Sequence, residues 1–594
     1  MRFRPILIFF LLSCRVNFSL AQQEPESLEL APIVVKRSFS PAPFSYSFAK
    51  DEALWWPSDF FLKALQLPGL DFQSRSPVSL VQADFSLRGS NFQGVGLFLD
   101  GMPVNDPQTG HHNCDLPFTW QDIQQVNVIY NSALPGALAG ALDFRLNRPK
   151  EKRFFYEGSF DNFQTKSFLL SLSEEKNDLG LRFSLEDAES AGFYPGTDFK
   201  KLTASLTTAL DTTSSMWDLF LGYQEKEFGA YDFYTPAKGF FSLEWTKTFL
   251  LKLGAKSGIG ELTVEPQVLW RRHWDKFMLD RTQLRSSYLN HHQTDVVTPN
   301  LYFSQEFINW GKLGVGLGWS REYIDSTNLG QHQRLTNSLA LDYSKGLSDD
   351  FIFEANFRED KIIDGRGYSS GSLSLAYEIF KGQRISLGIS RNIRQPSFTE
   401  LYYSDPTTVG NADLIAERAI CYQLQYILDK GCKAVRSTIF FRSEDDTIDW
   451  VKHTQLQPRW QAENLAGVRI WGWENSFHLK LNSFLNLQGG YSYNNRFTSC
   501  KGWVYKYGLN YSRHLVNIGF IFDLPFGQQS LVFTYRKKPH RRGWLVGNLR
   551  LCRRLGRNVE TFFEVDNLFN VEYQDIEGIP QPQRRLAAGL RWQW

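Results

Sequence analysis

Apolar and polar positions alternate from about residue 151 to the chain end. Leu179, Leu181, Phe183 and Leu185 interleave with Gly180, Arg182, Ser184 and Glu186. Trp217, Leu219, Leu221 and Tyr223 interleave mostly with Asp218, Gly222 and Gln224, and Phe351, Phe353, Ala355 and Phe357 mostly with Glu354, Asn356 and Arg358. Leu373, Leu375, Tyr377 and Ile379 repeat the pattern. Successive strand side chains point to opposite faces, so each run predicts a strand with one apolar and one polar face. Turn signals such as Asn177-Asp178 and Lys381-Gly382 separate the runs. A sandwich would bury the apolar faces against each other. A membrane barrel would turn them to lipid and keep the polar faces inside.

The last run favours the barrel. Leu586, Ala588, Leu590, Trp592 and Trp594 alternate with Arg585, Ala587, Gly589, Arg591 and Gln593. No open sheet edge survives in lipid, so a barrel needs a final strand that pairs with its first. Strands of about 10 residues with similar lengths of turn and loop give roughly 22 strands over residues 151–594, within an accepted span of about 16 to 24. Composition fits a barrel with a polar lumen and long loops. The mean hydropathy is −0.34 and charged residues are 22%. Aromatics at 15% suit interfacial girdles and exclude a disordered chain. No run of about 18 apolar residues predicts a membrane helix. Lys+Arg 65 against Asp+Glu 63 gives no reason to invoke nucleic acid. No nucleophile–base pair or phosphate loop points to an enzyme.

Residues 1–21 read as a signal peptide: Met1-Arg2-Phe3-Arg4 is basic, Pro5 to Leu12 is apolar, and Ser19-Leu20-Ala21 ends in small residues. Leu11-Leu12-Ser13-Cys14 resembles a lipoprotein cleavage site, but Arg15 and the site at Ala21 favour ordinary cleavage. The remaining Cys114, Cys421, Cys432, Cys500 and Cys552 are odd in number and dispersed. They form neither a disulfide framework nor a zinc site and are expected to be free. Ser38 to Phe48 has the composition of a linker. Phe60 to Leu65, closed by Pro68-Gly69, is helix-like. Phe85 to Arg88, Val95 to Leu99 and Asp122 to Tyr130 are strand candidates, with a turn at Asp100-Gly101. Residues 49–150 thus predict a small α/β domain before the barrel.

Several segments carry a resemblance. Phe85-Ser86-Leu87-Arg88-Gly89, then Gly96 to Asp106 (GLFLDGMPVND), then Val126 to Phe144 are similar to the plug domain of TonB-dependent outer-membrane receptors. Asn127, Asn131 and Ala141-Leu142 depart from that plug pattern. Phe228 to Tyr234 (FGAYDFY), Arg271 to Asp275 (RRHWD), Asn290-His291-His292 and Arg394 to Tyr402 (RQPSFTELY) extend the resemblance along the barrel. So do Asn464-Leu465 with Gly472 and Glu474, and Asn567 to Asn570 with Tyr573. By this resemblance the chain is identified as a receptor of that family, most similar in length to the cobalamin receptors.

The resemblance implies a 22-stranded antiparallel transmembrane β-barrel with the small α/β plug inside its lumen. Residues 22–48 become an energy-coupling segment and linker, 49–150 the plug and 151–594 the barrel. The implied function is TonB-dependent import of a scarce metal chelate, cobalamin or similar, across the outer membrane. A ferric-siderophore receptor is the alternative and a passive porin a weaker one. The implied partners are the TonB-ExbB-ExbD complex, the barrel-assembly machinery, outer-membrane lipid and the chelate, for a monomer. The short spacing between Ala21 and the coupling segment argues against a signal transducer. Leu30, Ala31, Pro32, Ile33, Val34, Val35 and Lys36 form a β-branched run suited to adding a strand to a partner's sheet edge, and are expected to be the TonB box. Leu590, Trp592 and Trp594 are expected to carry the barrel-insertion signal. Arg88, Gly89, Asp100 and Gly101 are expected to seat the plug rather than to catalyse.

Asp106 to Asp115 (DPQTGHHNCD) is the most chemical-looking stretch. Two His, a Cys and an Asp within five residues suit a transition metal. Cys114 has no second-cysteine spacing, however, and adjacent histidines do not easily share one ion. The expectation is therefore a substrate contact or plug packing for His111, His112 and Asn113, with no metal site. Tyr231, Phe233, Tyr234, Trp274 and Tyr402 are further ligand-contact candidates, girdle duty being equally compatible. Ser443 to Asp449 (SEDDTID) suggests calcium but lacks the twelve-residue EF-hand loop, so solvated turn acids are expected and no cofactor is assigned.

Overall fold

The computed structural model describes residues 44–49, 69–74, 81–234, 238–283, 288–363, 365–498, 502–508, 510–576 and 578–594. The signal peptide, the Leu30–Lys36 segment, the helix-like Phe60–Leu65 and Cys500 lie outside them.

From Arg153 to Gln593 the chain forms one closed antiparallel sheet of 22 strands. The alternation seen in the sequence decides which way the faces turn. On the strand Glu417–Asp429, Tyr422 is 51% exposed and Leu424 46%, whereas Gln423 and Gln425 between them are 5% and 0% exposed. On Leu179–Ser190, Leu179, Leu181 and Phe183 face out, and Arg182 and Ser184 are buried. Apolar residues outside and polar residues inside exclude a sandwich and match a barrel set in lipid. Arg585–Gln593 closes the ring against Arg153–Asp161, with Leu590 opposite Gly158 and Trp592 opposite Tyr156. Leu590, Trp592 and Trp594 are exposed on the outer face, and Phe154 packs on Trp592 with ring centroids 4.8 Å apart.

Short turns such as Asn177-Asp178 lie at one rim and long loops at the other. Three of those loops contribute strands to a small separate sheet, made by Thr408–Val409, Trp460–Leu465, Thr447–Lys452 and Val504–Tyr505. Within the barrel lies a five-stranded sheet in the order Ser45–Ala49, Ile123–Ile129, Gly140–Leu146, Val95–Leu99, Met102–Pro103, with a hairpin of Leu70–Ser74 and Ala83–Leu87 beside it. The three strands expected from sequence in this region are present. Among the described residues this inner domain has strands and short 3-10 turns, and the only α-helix, Phe398–Tyr402, is in a barrel loop.

One boundary reading is corrected. Residues 45–48, assigned to a linker on composition, belong to a strand paired with Ile123–Ile129. Tyr46 is buried and meets Tyr130 edge-on at 5.8 Å, which gives the segment a side chain to pack.

Candidate functional site: the plug apex and its seat

The inner domain is seated by charges. Arg88 and Gly89 take left-handed backbone conformations, φ 49° and 70°. That turn drives the Arg88 side chain into the wall. Its Nε and Nη2 donate to the two carboxylate oxygens of Glu474 at 3.0 and 2.9 Å, and its Nη1 donates to Gln423 Oε1 at 2.8 Å. The guanidinium also lies 3.6 Å from the Tyr130 ring centroid. Asp100 and Gly101 form a second left-handed turn. There Asp100 Oδ1 accepts from Leu146 N at 2.9 Å and its Oδ2 takes Lys252 Nζ at 2.6 Å. Asp71 pairs with Arg536 at 2.9 Å, Asp106 with Arg271 and Asp115 with Lys226. A buried charge needs a partner, and each of these finds one on the wall. Burial raises the Asp71, Asp106 and Asp115 carboxyls, but the facing cations outweigh it and hold all three below the usual range.

The apex is the loop Asp106–Asp115. Asn113 Oδ1 accepts from Asp106 N at 2.8 Å and closes the loop on itself. A 3-10 turn, Gly110–His112, sends the two adjacent histidines apart. His111 Nδ1 lies 3.0 Å from Asp84 Oδ1, its ring stacks on Phe92, and its Nε2 is 3.4 Å from Tyr507 Oη. His112 turns to the wall. Its Nδ1 is 3.1 Å from Asp115 Oδ2, and its Nε2 is 3.5 Å from Asp275 Oδ2 and 3.9 Å from Glu244 Oε1. Burial lowers the His112 pKa, but its contacts with Asp115 and Asp275 raise it well above the ordinary imidazole value. Two groups, His112 with Asp115 and His273, and His112 with Glu244 and Asp275, each bring ligand atoms within 4.8 Å of one another. Overhead, Phe398 N and Thr399 N donate to Pro107 O and Gln108 O at 2.9 and 3.0 Å, so a long loop caps the apex. To one side a cavity of ≈ 220 Å³ separates Asn105 and Pro107 from Glu322, Arg334, Arg358 and Arg394 on the wall.

A closed barrel with a charge-seated inner domain is a narrow architecture, and the family comparison agrees. The model of the family described as TonB dependent receptor-like, beta-barrel, matches residues 116–568. The chain belongs to this family. No curated relative matches its sequence. Solved structures share its fold at low identity. The siderophore receptor PirA from Pseudomonas aeruginosa is 13% identical with TM-score 0.73, covering 93% of this chain and 100% of that one. A ferric enterobactin receptor (PfeA) mutant from the same organism is 13% identical with TM-score 0.76, covering 93% and 98%. The copper transporter OprC is 14% identical with TM-score 0.78, also covering 93% and 98%.

In receptor terms the inner domain is the plug and the long-loop rim faces outside the cell. The expected ligand contacts scatter. His111 lies at the apex beside Tyr234, whose hydroxyl donates to Glu244 at 2.7 Å. Tyr402 stacks on His332 at 3.6 Å in the capping loop. Tyr231 packs on Tyr194 and Phe241, and Phe233 is buried near Phe228. Trp274 fits the girdle alternative: it alternates with the inward His273 and Asp275, so it points to the outer face, where Arg272 covers it and its Nε1 donates to Gln293 at 2.9 Å. The acidic run divides. Asp445 is exposed and Asp446 is half-buried at the turn, as expected, whereas Glu444 is buried against Arg442 at 2.8 Å and Asp449 is buried and accepts from Trp450 N at 2.7 Å, so these two are not solvated turn acids. Cys114, Cys421, Cys432 and Cys552 are free. Sequence reasoning missed the wall partners Lys226, Lys252 and Arg536, and gave no seating role to Arg271, His273, Asp275 and His292, which it singled out only for their resemblance.

Proposed function

We propose that this receptor imports a scarce metal chelate across the outer membrane, with energy delivered through Leu30–Lys36. The observation that carries the reading is the plugged, capped lumen. Passage of a solute requires the plug to shift, and buried ion pairs such as Arg88–Glu474 oppose that shift. A passive porin needs an open aqueous lumen. That the similar folds include a siderophore receptor and a copper transporter supports a metal-bearing cargo. Cobalamin is the reading favoured by the sequence resemblance, and ferric siderophores are the second, favoured by the PirA and PfeA folds.

The test is uptake of labelled cobalamin and of several ferric siderophores into cells expressing the receptor, with and without a protonophore. Val34→Pro removes a strand hydrogen-bond donor from the coupling segment. It is expected to abolish uptake while leaving ligand binding to purified protein intact. Uptake that survives the protonophore overturns active import. Normal uptake by the Val34→Pro chain overturns the assignment of the coupling segment.

A further inference from the structure

Four side chains from four separate segments converge where the plug apex meets the wall. His112 comes from the apex loop, Glu244 from the strand Leu243–Ile259, Asp275 from Leu262–Met278 and His292 from Leu289–Phe307. The wall residues are brought together by register. Asp275 stands directly opposite His292 on the neighbouring strand. On the other side Asp275 faces Thr246, and Glu244 lies two residues along from Thr246 on the same inner face.

All four are buried. His112 Nε2 lies 3.5 Å from Asp275 Oδ2 and 3.9 Å from Glu244 Oε1, and His292 Nε2 lies 4.0 Å from Asp275 Oδ2. A tetrahedral ion with ligand bonds of about 2.0–2.1 Å holds its donors about 3.3 Å apart. His112, Glu244 and Asp275 already bring their ligand atoms within 4.8 Å of one another, which rotation within ordinary side-chain freedom closes, whereas His292 comes near Asp275 alone and its ring has to turn further inward to serve as the fourth donor. The outer contacts aim the donors inward. Ser326 Oγ holds His292 Nδ1 at 2.7 Å, leaving Nε2 toward the cluster. The Tyr234 hydroxyl holds the second oxygen of Glu244 at 2.7 Å. Such second contacts fix the tautomer and orientation of metal ligands.

Two polar atoms here have no hydrogen-bond partner. Asp275 Oδ1 is one. The other is Nε2 of His273, whose ring is tilted against His112 at 4.6 Å and whose Nδ1 is taken by Thr248 at 2.9 Å. Lys226 answers Asp115 and Arg271 answers Asp106, but no lysine or arginine pairs with Glu244 or Asp275 among the described residues. The basic groups set against these two buried carboxylates are imidazoles, those of His112 and His292.

We propose that His112, Glu244, Asp275 and His292 bind one divalent first-row transition-metal ion of zinc-like character, clamping the plug apex to three adjacent wall strands. Imidazole with carboxylate suits such an ion, whereas calcium and magnesium take all-oxygen shells. The site stands on this geometry alone and does not depend on the import reading.

The experiment uses the full-length receptor in detergent, stripped with chelator and dialysed. Zinc is added, calcium serves as the hard-cation control, and bound metal per chain is measured by elemental analysis after gel filtration. One zinc per chain is expected, with a raised thermal midpoint and no response to calcium. Asp275→Asn and His292→Gln should lose the ion, and His291→Gln, at the exposed neighbouring position, should keep it. His292→Gln is the milder variant and keeps the test valid if Asp275→Asn does not fold. No zinc retained by the parent chain, or full retention by His292→Gln, overturns the proposal.

Discussion

Replacing Glu474 with Gln removes the negative charge facing Arg88 and changes little else in shape. Arg88 is 1% exposed and Glu474 0%, so water does not take over the lost role while the plug stays seated. Gln423 Oε1 remains as an acceptor at 2.8 Å, but it carries no charge. Arg442 lies close enough to donate to Arg88 O at 3.2 Å, and it adds a like charge. Removing one partner of a buried pair costs about 3–5 kcal/mol, because the survivor is left uncompensated. That corresponds to about two to three and a half powers of ten in the population of unseated plug. The double variant Arg88→Met with Glu474→Leu replaces the pair by apolar groups of similar size. It should lie within about 1 kcal/mol of the parent, the residual loss being the Gln423 hydrogen bond. The assay is hydrogen–deuterium exchange of the amides in Ala83–Leu87 across a urea series in detergent. A less than tenfold rise in exchange for Glu474→Gln refutes the reasoning. A double variant as labile as the single one refutes it equally.

Two further outcomes are expected. Gly69 sits at φ 76°, and a Cβ there would meet the Glu474 carboxylate and the Tyr130 hydroxyl; Gly69→Ala should therefore cost at least about 2 kcal/mol of plug stability in the same exchange assay, and a loss below about 0.5 kcal/mol would contradict the close approach. Burial raises the Asp449 pKa from 3.8 to about 6 in the folded loop sheet, despite the opposing Arg496 charge and backbone hydrogen bonds. The folded state thus holds a proton that the unfolded state has released, and the stability of the sheet falls as pH rises through that window, by up to about 3 kcal/mol, then levels off. Amides of Thr447–Lys452, corrected for intrinsic exchange, should open more readily at pH 7 than at pH 5, and Asp449→Asn should remove the difference.

The barrel was legible because period-two alternation is local: a lipid-facing Tyr422 beside a lumen-facing Gln423 writes its geometry into adjacent positions. The seating of the plug was not legible, because its partners are remote. Arg88 and Glu474 are 386 positions apart, and nothing near either names the other. The histidine cluster falls between these cases. Arg271, His273 and Asp275 alternate with Arg272, Trp274 and Lys276, so one inward face carrying all three could be read from spacing. That same reading would have turned Trp274 outward. The donors within the apex loop do not by themselves make a metal site, and the pairing of Asp275 with His292 needs the strand register. Ser45–Ala49 was obscured by Pro41 and Pro43, whose composition signal outweighed a five-residue alternation.

The charged seat also bears on how a plug can be both specific and movable. A buried ion pair contributes little net stability over an apolar contact, since desolvation offsets most of its attraction, yet deleting one partner is costly. Displacement differs from deletion. When a pull on the plug separates Asp100 from Lys252 or Asp71 from Arg536, water entering the lumen hydrates both ions, and the desolvation cost of seating is recovered. An apolar seat would offer no such return, because every exposed methylene would add to the work at about 0.8 kcal/mol. The polar lumen thus fixes the register of the plug through pairs that admit no substitute partner, while keeping its release within reach of an external force. A metal ion at His112, Glu244, Asp275 and His292 would be the exception. Its bonds are not replaced so readily by hydration, which makes the apex the last contact to yield.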